Sequence, residues 1–289
     1  MAARKKPKTE TEKKPTLVGE RKLGRVLITG ASAGIGAELA REFAKHGHSL
    51  VLVARSKDKL TALAGELNAA HDTDALVIVE DLSRKGCAQG IVDELADRGI
   101  EIDILVNNAG VLDVGPFADT ATDVYDNMVA LNVAALTSLT SLLLPAMVGR
   151  KFGRILNVAS LAAFQPLPSM AVYAATKAYV LSLTEALSEE LRGTGVKVTA
   201  LCPGLTDTNM VTSIKEKSAT AQATPNMLIS DPKDVAKQAY KATMAGQTIL
   251  VPGIPNQIAA AWAQVTPRWL TRTVTGFASR QADWMKKSS

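Results

Sequence analysis

Tyr173 and Lys177 have the clearest capacity for chemistry, because a phenol and an amine stand four positions apart. On a helix this spacing places both side chains on one face, one turn apart. An unperturbed phenol titrates near pH ~10, so only about 0.1% is ionised at pH 7. A nearby cation favours the phenolate and lowers its pKa, which suits reversible acid–base work. The pair therefore indicates a tyrosine that exchanges a proton with an alcohol or carbonyl oxygen.

Two further polar residues could assist such a proton transfer. Ser160 follows an apolar run, and its hydroxyl could hold a substrate oxygen through a hydrogen bond. Asn132 lies in the uncharged stretch 127–149, where a buried amide is costly unless it is hydrogen-bonded. For Asn132 the alternative is a purely structural amide that is tied to the backbone.

A glycine-rich turn between a predicted strand and a predicted helix is typical of a phosphate-binding site. Gly30, Gly34 and Gly36 allow backbone conformations and close approach that a Cβ would block. The helix that starts near Ile35 would present free N–H groups and a positive dipole end to a pyrophosphate. The spacing is Gly-x-x-x-Gly-x-Gly, which differs from the commoner Gly-x-Gly-x-x-Gly of dinucleotide-binding folds.

Arg55 indicates which dinucleotide binds. An NAD enzyme has Asp or Glu at the end of the second strand, but this sequence has Ala54 followed by Arg55. A guanidinium pairs with a 2′-phosphate, which an acidic residue would repel, and Ser32 could add a hydroxyl donor. The sequence therefore predicts NADP(H) as the cofactor. The alternative is that Arg55 is only a solvated residue at the start of a helix.

Three more segments extend these motifs into a family pattern. They are Asn107-Asn-Ala-Gly110 at a strand end, Ser160 after a strand, and Tyr173-Ala-Ala-Thr-Lys177 on a helix. Together with Thr29–Gly36, they make the chain resemble the short-chain dehydrogenase/reductase family over about Leu23 to Val251. This resemblance implies hydride transfer between NADP(H) and a substrate that is a ketone or aldehyde, or the corresponding alcohol.

The resemblance also implies roles for individual residues. Tyr173 would be the acid/base and Ser160 the group that orients the substrate oxygen. Lys177 would tune Tyr173 and bind the nicotinamide ribose, and Asn132 would support an ordered water and proton relay behind it. Further cofactor contacts are implied beside the central strand, at the adenine and over the nicotinamide, by Asn108, Ala109, Gly110, Asp81, Leu82, Pro203, Gly204 and Thr208.

Apolar β-rich runs alternate with helical patterns along most of the chain. The runs are largely continuous, as expected for strands that are covered on both faces. Seven strands are predicted, at Arg25–Thr29, Ser49–Ala54, Ala75–Glu80, Asp103–Val106, Arg154–Ala159, Val196–Leu201 and Thr248–Val251. Helices are predicted between them, at about Ile35–His46, Lys57–Ala70, Lys85–Arg98, Ala121–Val148, Tyr173–Arg192 and Pro232–Met244.

This alternation predicts an α/β fold with a doubly wound parallel sheet of the Rossmann type. The chain divides into a flexible basic arm at 1–22, a catalytic domain at 23–252 and a helical extension at 253–289. The stretch 127–149 is long enough to span a bilayer, but several polar residues interrupt it. We interpret it as a helix that is buried all round, partly by a partner subunit, which favours a homodimer or homotetramer.

The distribution of charge excludes a nucleic-acid-binding domain. Residues 1–22 carry eight Lys or Arg and three Glu, which accounts for the whole net charge of +5. The remaining residues contain 25 basic and 25 acidic side chains. A folded part without a basic face does not fit nucleic-acid recognition. A weak contact between the arm and a polyanion stays open.

Cysteine and histidine usage points to a cytoplasmic protein without a metal site. Cys87 and Cys202 are too few for a disulfide scaffold and are expected to be reduced. The start of the chain lacks the apolar core of a secretory signal. The three histidines, His46, His48 and His71, form no metal-ligand pattern with the cysteines.

Two segments of the chain leave their roles open. Ile258, Trp262, Val265 and Trp269 follow helical spacing in the extension, which favours core packing or a subunit contact. A lid over an apolar substrate and a peripheral membrane contact are less favoured alternatives. The segment Asn209–Ser230 follows the sixth strand and is a plausible substrate lid, or a mobile loop without a role in specificity. Its apolar residues are Met210, Val211, Ile214 and Met227.

The function that these residues favour is an NADPH-dependent carbonyl reductase or alcohol dehydrogenase acting on a small molecule, for which an apolar character is one option. The sequence identifies neither the substrate nor the physiological direction. An alternative from another class is a cofactor-sensing binding protein with the same fold and no turnover, because fold alone does not determine activity. An interaction protein that is anchored through either end is a third possibility.

Overall fold

The computed structural model describes residues 24–71, 73–208 and 229–287, with side chains as far as Phe277. The predicted basic arm at 1–22 lies outside these residues. So do Met210, Val211, Ile214 and Met227 of the predicted lid and the side chain of Trp284.

Seven strands form one parallel sheet in the order β3-β2-β1-β4-β5-β6-β7. The two central strands, β1 and β4, lie between their neighbours with every residue buried, which explains their uninterrupted apolar sequences. The predicted doubly wound parallel sheet is thereby confirmed. The strands are β1 Val26–Thr29, β2 Leu50–Ala54, β3 Ala75–Val79, β4 Ile104–Asn107, β5 Gly153–Val158, β6 Val196–Leu201 and β7 Ile249–Leu250.

The sheet order reverses between β1 and β4. The chain winds outward from β1 to β2 and β3, then returns to place β4 on the other side of β1. In an open parallel sheet this reversal separates the loops at the carboxyl ends and leaves a crevice where ligands bind. The topology therefore locates the candidate site at the carboxyl ends of β1, β4 and β5.

Helices cover both faces of the sheet. One apolar cluster joins residues of α1, α2 and α6 to one face, and a second joins α3 and part of α4 to the other. The helices are α1 Gly34–Lys45, α2 Lys57–Ala70, α3 Cys87–Asp97, α4 Thr122–Gly149, α5 Ala171–Glu190, α6 Pro232–Ala245, α7 Ile254–Val265 and α8 Arg268–Lys287.

Most predicted element boundaries lie within one or two residues of the observed ones. Helix α3 begins at Cys87 and not at Lys85, because Gly86 adopts a left-handed conformation with φ of 85° at the N-cap. Helix α4 is continuous, as predicted, but it contains a π-helical turn at Ala130–Ala135. The periodicity of the sequence does not reveal this turn.

Helix α4 is only partly enclosed by the single chain. By length and composition alone, it could cross a membrane. In its most apolar 18-residue stretch, 33% is buried within the chain. Leu139 and Met147 pack in the core, whereas Val129 and Leu142 are exposed. The expected burial relies partly on a partner subunit, and that cover stays a prediction.

The C-terminal helices contradict one of the two favoured expectations for their apolar stripe, core packing, and do not test the other, a subunit contact. Ile258, Trp262, Val265 and Trp269 are 45% to 81% exposed. Core packing within the chain is therefore excluded for this stripe, because the side of α7 that carries Ala260 faces the protein instead.

His48 predicts a specific dependence of stability on pH. The ring is 1% exposed, and Nδ1 donates a hydrogen bond to the Gly24 carbonyl at 2.8 Å. Burial lowers the pKa of His48, while the Gly24 and Asp103 oxygens oppose this shift and His46 reinforces it. The folded chain therefore binds fewer protons at this site than the unfolded chain does, so stability falls as pH drops below about 6.5.

We expect His48→Gln to weaken the dependence of the unfolding free energy on pH between pH 7 and pH 5. Urea titrations across this range measure the effect, and His71→Gln serves as the control because His71 is only partly buried. An unchanged slope in His48→Gln would show that other groups govern acid destabilisation.

Candidate active site

The three residues predicted to carry chemistry meet at the carboxyl end of β5. Ser160 lies two residues beyond this strand and starts a short 3₁₀ turn at Leu161–Phe164, where its hydroxyl accepts a hydrogen bond from the Ala162 amide at 3.1 Å. Tyr173 and Lys177 are both buried in the first two turns of α5. The predicted helical spacing is therefore present, and α5 presents the pair toward the same strand end.

Tyr173 is enclosed by the protein, with 8% of its surface exposed. Burial raises the pKa of Tyr173, and a hydrogen-bonding interaction with Ser160 opposes the shift. This net direction differs from the lowered pKa expected from the Tyr173–Lys177 spacing. The reason is physical: removing a phenolate from water costs more here than the neighbouring groups of the chain restore.

Lys177 carries a buried amine, with 5% of the residue exposed. Its Nζ donates a hydrogen bond to the Val158 carbonyl at 2.8 Å and lies 5.8 Å from the centroid of the Tyr173 ring. Burial lowers the pKa of Lys177 to about 8, and Cys202 contributes a smaller opposing effect. The lysine is thus fixed beside the tyrosine by a backbone carbonyl of β5.

Asn132 is held by a closed set of hydrogen bonds. Its Oδ1 accepts from the Val111 amide at 2.9 Å, and its Nδ2 donates to the Val111 carbonyl at 2.9 Å and to Thr176 Oγ1 at 3.1 Å. The amide therefore ties the loop after β4 to α4 and α5. Gly110 lies against it, because a Cβ there would lie 3.1 Å from Asn132 Oδ1 and 3.5 Å from Lys177 Nζ.

The glycine turn packs directly against the loop that follows β4. Gly30 has φ of 66°, and a Cβ on it would lie 2.8 Å from Asn108 Nδ2. A Cβ on Gly36 would collide with the Gly30 carbonyl oxygen. Asn108 Nδ2 in turn donates to the Thr29 carbonyl at 2.8 Å. The close approach of the two loops therefore requires glycine at these positions, whether or not a ligand is bound.

The start of α1 fits a bound pyrophosphate. Its N-cap residue, Ala33, has no side-chain acceptor, so the amides of the first turn are left for another partner. Gly34 has φ of 57°, and Thr208 lies close above it, where a Cβ would approach Thr208 Cγ2 to 3.1 Å. Ile35 packs against the core below. An uncapped helix terminus above a glycine turn is a suitable anion site.

Arg55 and Asp81 lie near one another at neighbouring strand ends. Arg55 is exposed just beyond β2, and Ser32 is partly exposed in the glycine turn. The Asp81 Oδ1 accepts hydrogen bonds from the Ser83 hydroxyl at 2.7 Å and amide at 3.0 Å. These bonds and, more weakly, Arg55 hold the pKa of Asp81 below its usual value. Leu82 beside it is buried in the core.

Pro203 and Gly204 continue from β6 along the opposite side of the site. The Pro203 carbonyl accepts a hydrogen bond from the Leu161 amide at 2.9 Å, directly after Ser160. Gly204 abuts Asn256 of α7, and a Cβ on Gly204 would lie 2.6 Å from Asn256 Oδ1. The extension therefore takes part in shaping the region around Ser160.

Among the residues that the structure describes, a small cleft next to Tyr173 could admit a substrate. Besides Tyr173, it is lined by apolar residues such as Met128, Met170 and Val172 and by the polar side chains of Asp113 and Ser169. Thr120 and Tyr125 also line the cleft, so its wall is polar and apolar in about equal measure.

A buried polar chain beneath the site was missed by sequence reasoning. Asn107 Nδ2 donates to Thr140 Oγ1 at 3.0 Å and to Asn157 Oδ1 at 2.9 Å. Asn157 Nδ2 donates to Thr184 Oγ1 at 2.9 Å. These hydrogen bonds attach α4 and α5 to β4 and β5. The available signal was an asparagine near the end of each of two strands, Asn107 in β4 and Asn157 in β5, since a buried amide must find partners.

The structural role of the Thr29 side chain, at the end of β1, was not identified from the sequence. Its Oγ1 donates to the Val106 carbonyl at 3.2 Å and accepts from the amides of Asn108 and Ala109 at 3.0 Å each. This single hydroxyl thus sets the separation of β1 and β4 at the point where the sheet order reverses.

Comparison with known proteins gives the family. Residues 24–219 match the family model of short chain dehydrogenase. The chain is 37% identical over 217 residues to the ketoacyl reductase HetN of Nostoc sp., covering 75% of this chain and 74% of that protein. It is 36% identical over 184 residues to an uncharacterized oxidoreductase of Staphylococcus epidermidis, covering 64% and 78% of the two chains.

The fold agrees with solved structures of this family. A short-chain dehydrogenase from Sphingobium yanoikuyae in complex with NADPH matches with a TM-score of 0.73 and 33% identity, covering 83% of this chain and 91% of that one. The family match spans the glycine turn, Ser160, Tyr173 and Lys177 together. We therefore conclude that the chain belongs to the short-chain dehydrogenase family and is an oxidoreductase that acts on CH–OH groups.

Proposed function

We propose that the protein is an NADP(H)-dependent reductase of ketones or aldehydes, with Tyr173 as the acid/base. The observation that carries the proposal is the meeting of Ser160, Tyr173 and Lys177 at one strand end, beside an uncapped helix terminus and a glycine turn. The dinucleotide would supply the hydride for reduction or accept it in the reverse direction. The residues of the chain would bind, orient and exchange the proton.

Tyr173 would donate its phenolic proton to the substrate oxygen as negative charge develops there. Burial raises its pKa, which keeps the phenol protonated and ready to donate in the direction of reduction. The Ser160 hydroxyl lies beside it and would hold the same oxygen, which orients the carbonyl and stabilises developing charge.

Lys177 would assist through its charge and its position. With a pKa of about 8, it is mostly an ammonium at neutral pH, and its hydrogen bond to Val158 uses one of three donors. The remaining donors are available to a nicotinamide ribose and to the relay that restores the Tyr173 proton. Asn132 would act in this relay by holding the loop at Gly110 and Val111 beside the amine.

The preference for NADP(H) rests on the end of β2. Arg55 would pair with the 2′-phosphate, with Ser32 as an additional donor, and neither Asp nor Glu occupies that position. The Sphingobium yanoikuyae relative in complex with NADPH supports this choice. A family member from Burkholderia phymatum in complex with NAD, which is 25% identical, indicates that individual residues and not the fold decide the preference.

Self-association through α4 and α5 would cover the apolar surface that the single chain leaves open. Val129, Val133, Val172 and Ala175 line an open apolar depression between these helices. Burying it against a second copy would remove that surface from water. A homodimer or homotetramer in the cytoplasm is the assembly that we propose.

Tyr173→Phe is expected to reduce kcat by about 10²–10⁴-fold, because a positioned acid/base contributes that much. Binding of NADPH, followed by its fluorescence, should change by less than about twofold, since the ring is kept. Turnover is measured by NADPH absorbance with a panel of long-chain and compact ketones. Tyr179→Phe is the matched control, because Tyr179 is 39% exposed and its hydroxyl contacts Thr137 at 3.0 Å. Substantial turnover by Tyr173→Phe would refute the assigned role.

Arg55→Asp is expected to raise the KM for NADPH by about 10–100-fold, which corresponds to the loss of charge-assisted hydrogen bonds. The KM for NADH should rise much less, because NADH has no 2′-phosphate. The ratio of the two kcat/KM values is the measurement, with Arg98→Asp, at the exposed end just after α3, as the control. An unchanged ratio would remove the case for NADP(H).

The buried amine predicts a second dependence of stability on pH. The folded pKa of about 8 lies below the ordinary value of 10.5, so the unfolded chain binds more protons between these limits. Stability therefore rises as pH increases through this window, by about 3 kcal/mol in total at 1.36 kcal/mol per pKa unit. Lys177→Met should lack this rise, whereas Lys237→Met on the exposed side of α6 should retain it. Equal slopes in all three proteins, measured by denaturant titration, would contradict a buried amine.

A further inference from the structure

The exposed side of α7 carries an apolar stripe. Ile254, Ile258, Trp262 and Val265 are 72%, 65%, 45% and 81% exposed. Their spacing of four, four and three residues places them on one face of the helix. Ala260, on the opposite face, is 4% exposed. The helix is thus docked on the protein by one side and presents large apolar residues on the other.

Helix α8 continues this surface with aromatic residues. Trp269 and Phe277 are 62% and 59% exposed and lie two turns apart on one side. Thr271, on the other side, is 2% exposed and attaches the helix to the protein. We call the exposed apolar residues of α7 together with Trp269 and Phe277 the extension face. Soluble monomers rarely expose so many large apolar residues together, and such patches mark interaction surfaces.

Positive charge is concentrated in the same segment. Residues 252–289 contain five basic residues, namely Arg268, Arg272, Arg280, Lys286 and Lys287, against the single acidic residue Asp283. Between residues 23 and 251 there are 20 basic and 24 acidic residues, a net charge of −4. The body is therefore acidic and the extension basic, with a net charge of +4. The exposed Arg268 and Arg272 belong to the same helix as Trp269 and Phe277.

We propose that the extension face docks on the surface of an anionic lipid bilayer. A helix with aromatic and aliphatic residues on one side and arginines along it lies in the plane of the membrane interface. Tryptophan suits this location, because its ring is apolar and its N–H can reach the headgroups. The arginines pair with lipid phosphates, and the basic segment is attracted by the negative surface potential of the bilayer.

Two other occupants fit the surface less well. A second copy of the chain would bring two copies of the basic segment 252–289, each with a net charge of +4, together across a two-fold axis, and this repulsion opposes association. A nucleic acid would use the arginines, but it would leave Ile254, Ile258 and Val265 in water. A bilayer accommodates both the charge and the apolar stripe.

The docked face would lie next to the proposed active site. Helix α7 packs on the 3₁₀ turn Leu161–Phe164, which directly follows Ser160, and its Asn256 abuts Gly204. A substrate dissolved in the bilayer would therefore reach the site along the extension. This consequence, an apolar carbonyl or alcohol substrate drawn from the lipid phase, rests on the proposed function; the docking itself does not.

Vesicle flotation of the full-length protein tests the docking without any need for turnover. We expect binding to phosphatidylcholine vesicles that contain about a third phosphatidylserine, weaker binding to pure phosphatidylcholine, and loss of most binding as salt is raised. The double variant Trp269→Ser/Phe277→Ser should lower the partition coefficient by at least about tenfold on anionic vesicles. Val79→Ser is the matched control, because Val79 is a 48% exposed apolar residue elsewhere on the surface.

The charge contribution is tested with Arg268→Gln/Arg272→Gln. This variant should bind anionic vesicles several-fold more weakly and pure phosphatidylcholine equally, whereas Lys233→Gln/Lys237→Gln on α6 should behave like the unmodified protein. A variant without residues 1–22 should retain the dependence on Trp269 and Phe277.

Several outcomes would overturn the proposal. One is the absence of binding to either vesicle, and another is binding that survives the aromatic changes but disappears with residues 1–22. A third is a change of oligomeric state in light scattering after Trp262→Ser or Trp269→Ser while vesicle binding persists, which would assign the face to a second copy. Activity on a compact water-soluble ketone, measured without vesicles, reports on the proposed function separately.

Discussion

The ammonium of Lys177 is 5% exposed and is held by the uncharged Val158 carbonyl, so the fold keeps a positive charge where water barely reaches it. This placement costs free energy, as the lowered pKa of about 8 reflects. A lysine on a mobile segment would extend its amine into solvent. Lys177 remains buried because α5 is held against β5. The polar chain from Asn107 through Asn157 to Thr184 provides this attachment. The proposed acid/base role of Tyr173 thus depends on hydrogen bonds that lie beneath the site.

A second set of contacts joins the cofactor side to the catalytic side. Thr29 binds the loop after β4 through its hydroxyl, and Asn108 binds back to the carbonyl of Thr29. Asn132 then connects that loop to α4 and α5. The glycine turn and the catalytic helix are therefore linked through one loop between residues 108 and 111. A change in this loop would displace both halves of the site together.

Much of the fold was predictable because burial leaves a local record in the sequence. The central strands β1 and β4 are continuous apolar runs for the simple reason that helices cover both faces. The candidate site was predictable for a related reason: glycines and a four-residue Tyr–Lys spacing are local features of the chain. The hydrogen bonds of Asn132 were not predictable, because its partners, Val111 and Thr176, belong to other parts of the chain.

The sequence by itself determined the alternation of strands and helices, the glycine turn, the helical pairing of Tyr173 with Lys177 and the basic character of the extension, since each depends on residues close together in the chain. Only the tertiary structure decided the rest. It raises the pKa of Tyr173 where spacing alone predicts a lower one, because burial depends on every element packed around the ring. It also leaves the stripe of Ile258, Trp262 and Val265 in solvent, because which face of α7 meets the protein is chosen by shape and not by apolar content.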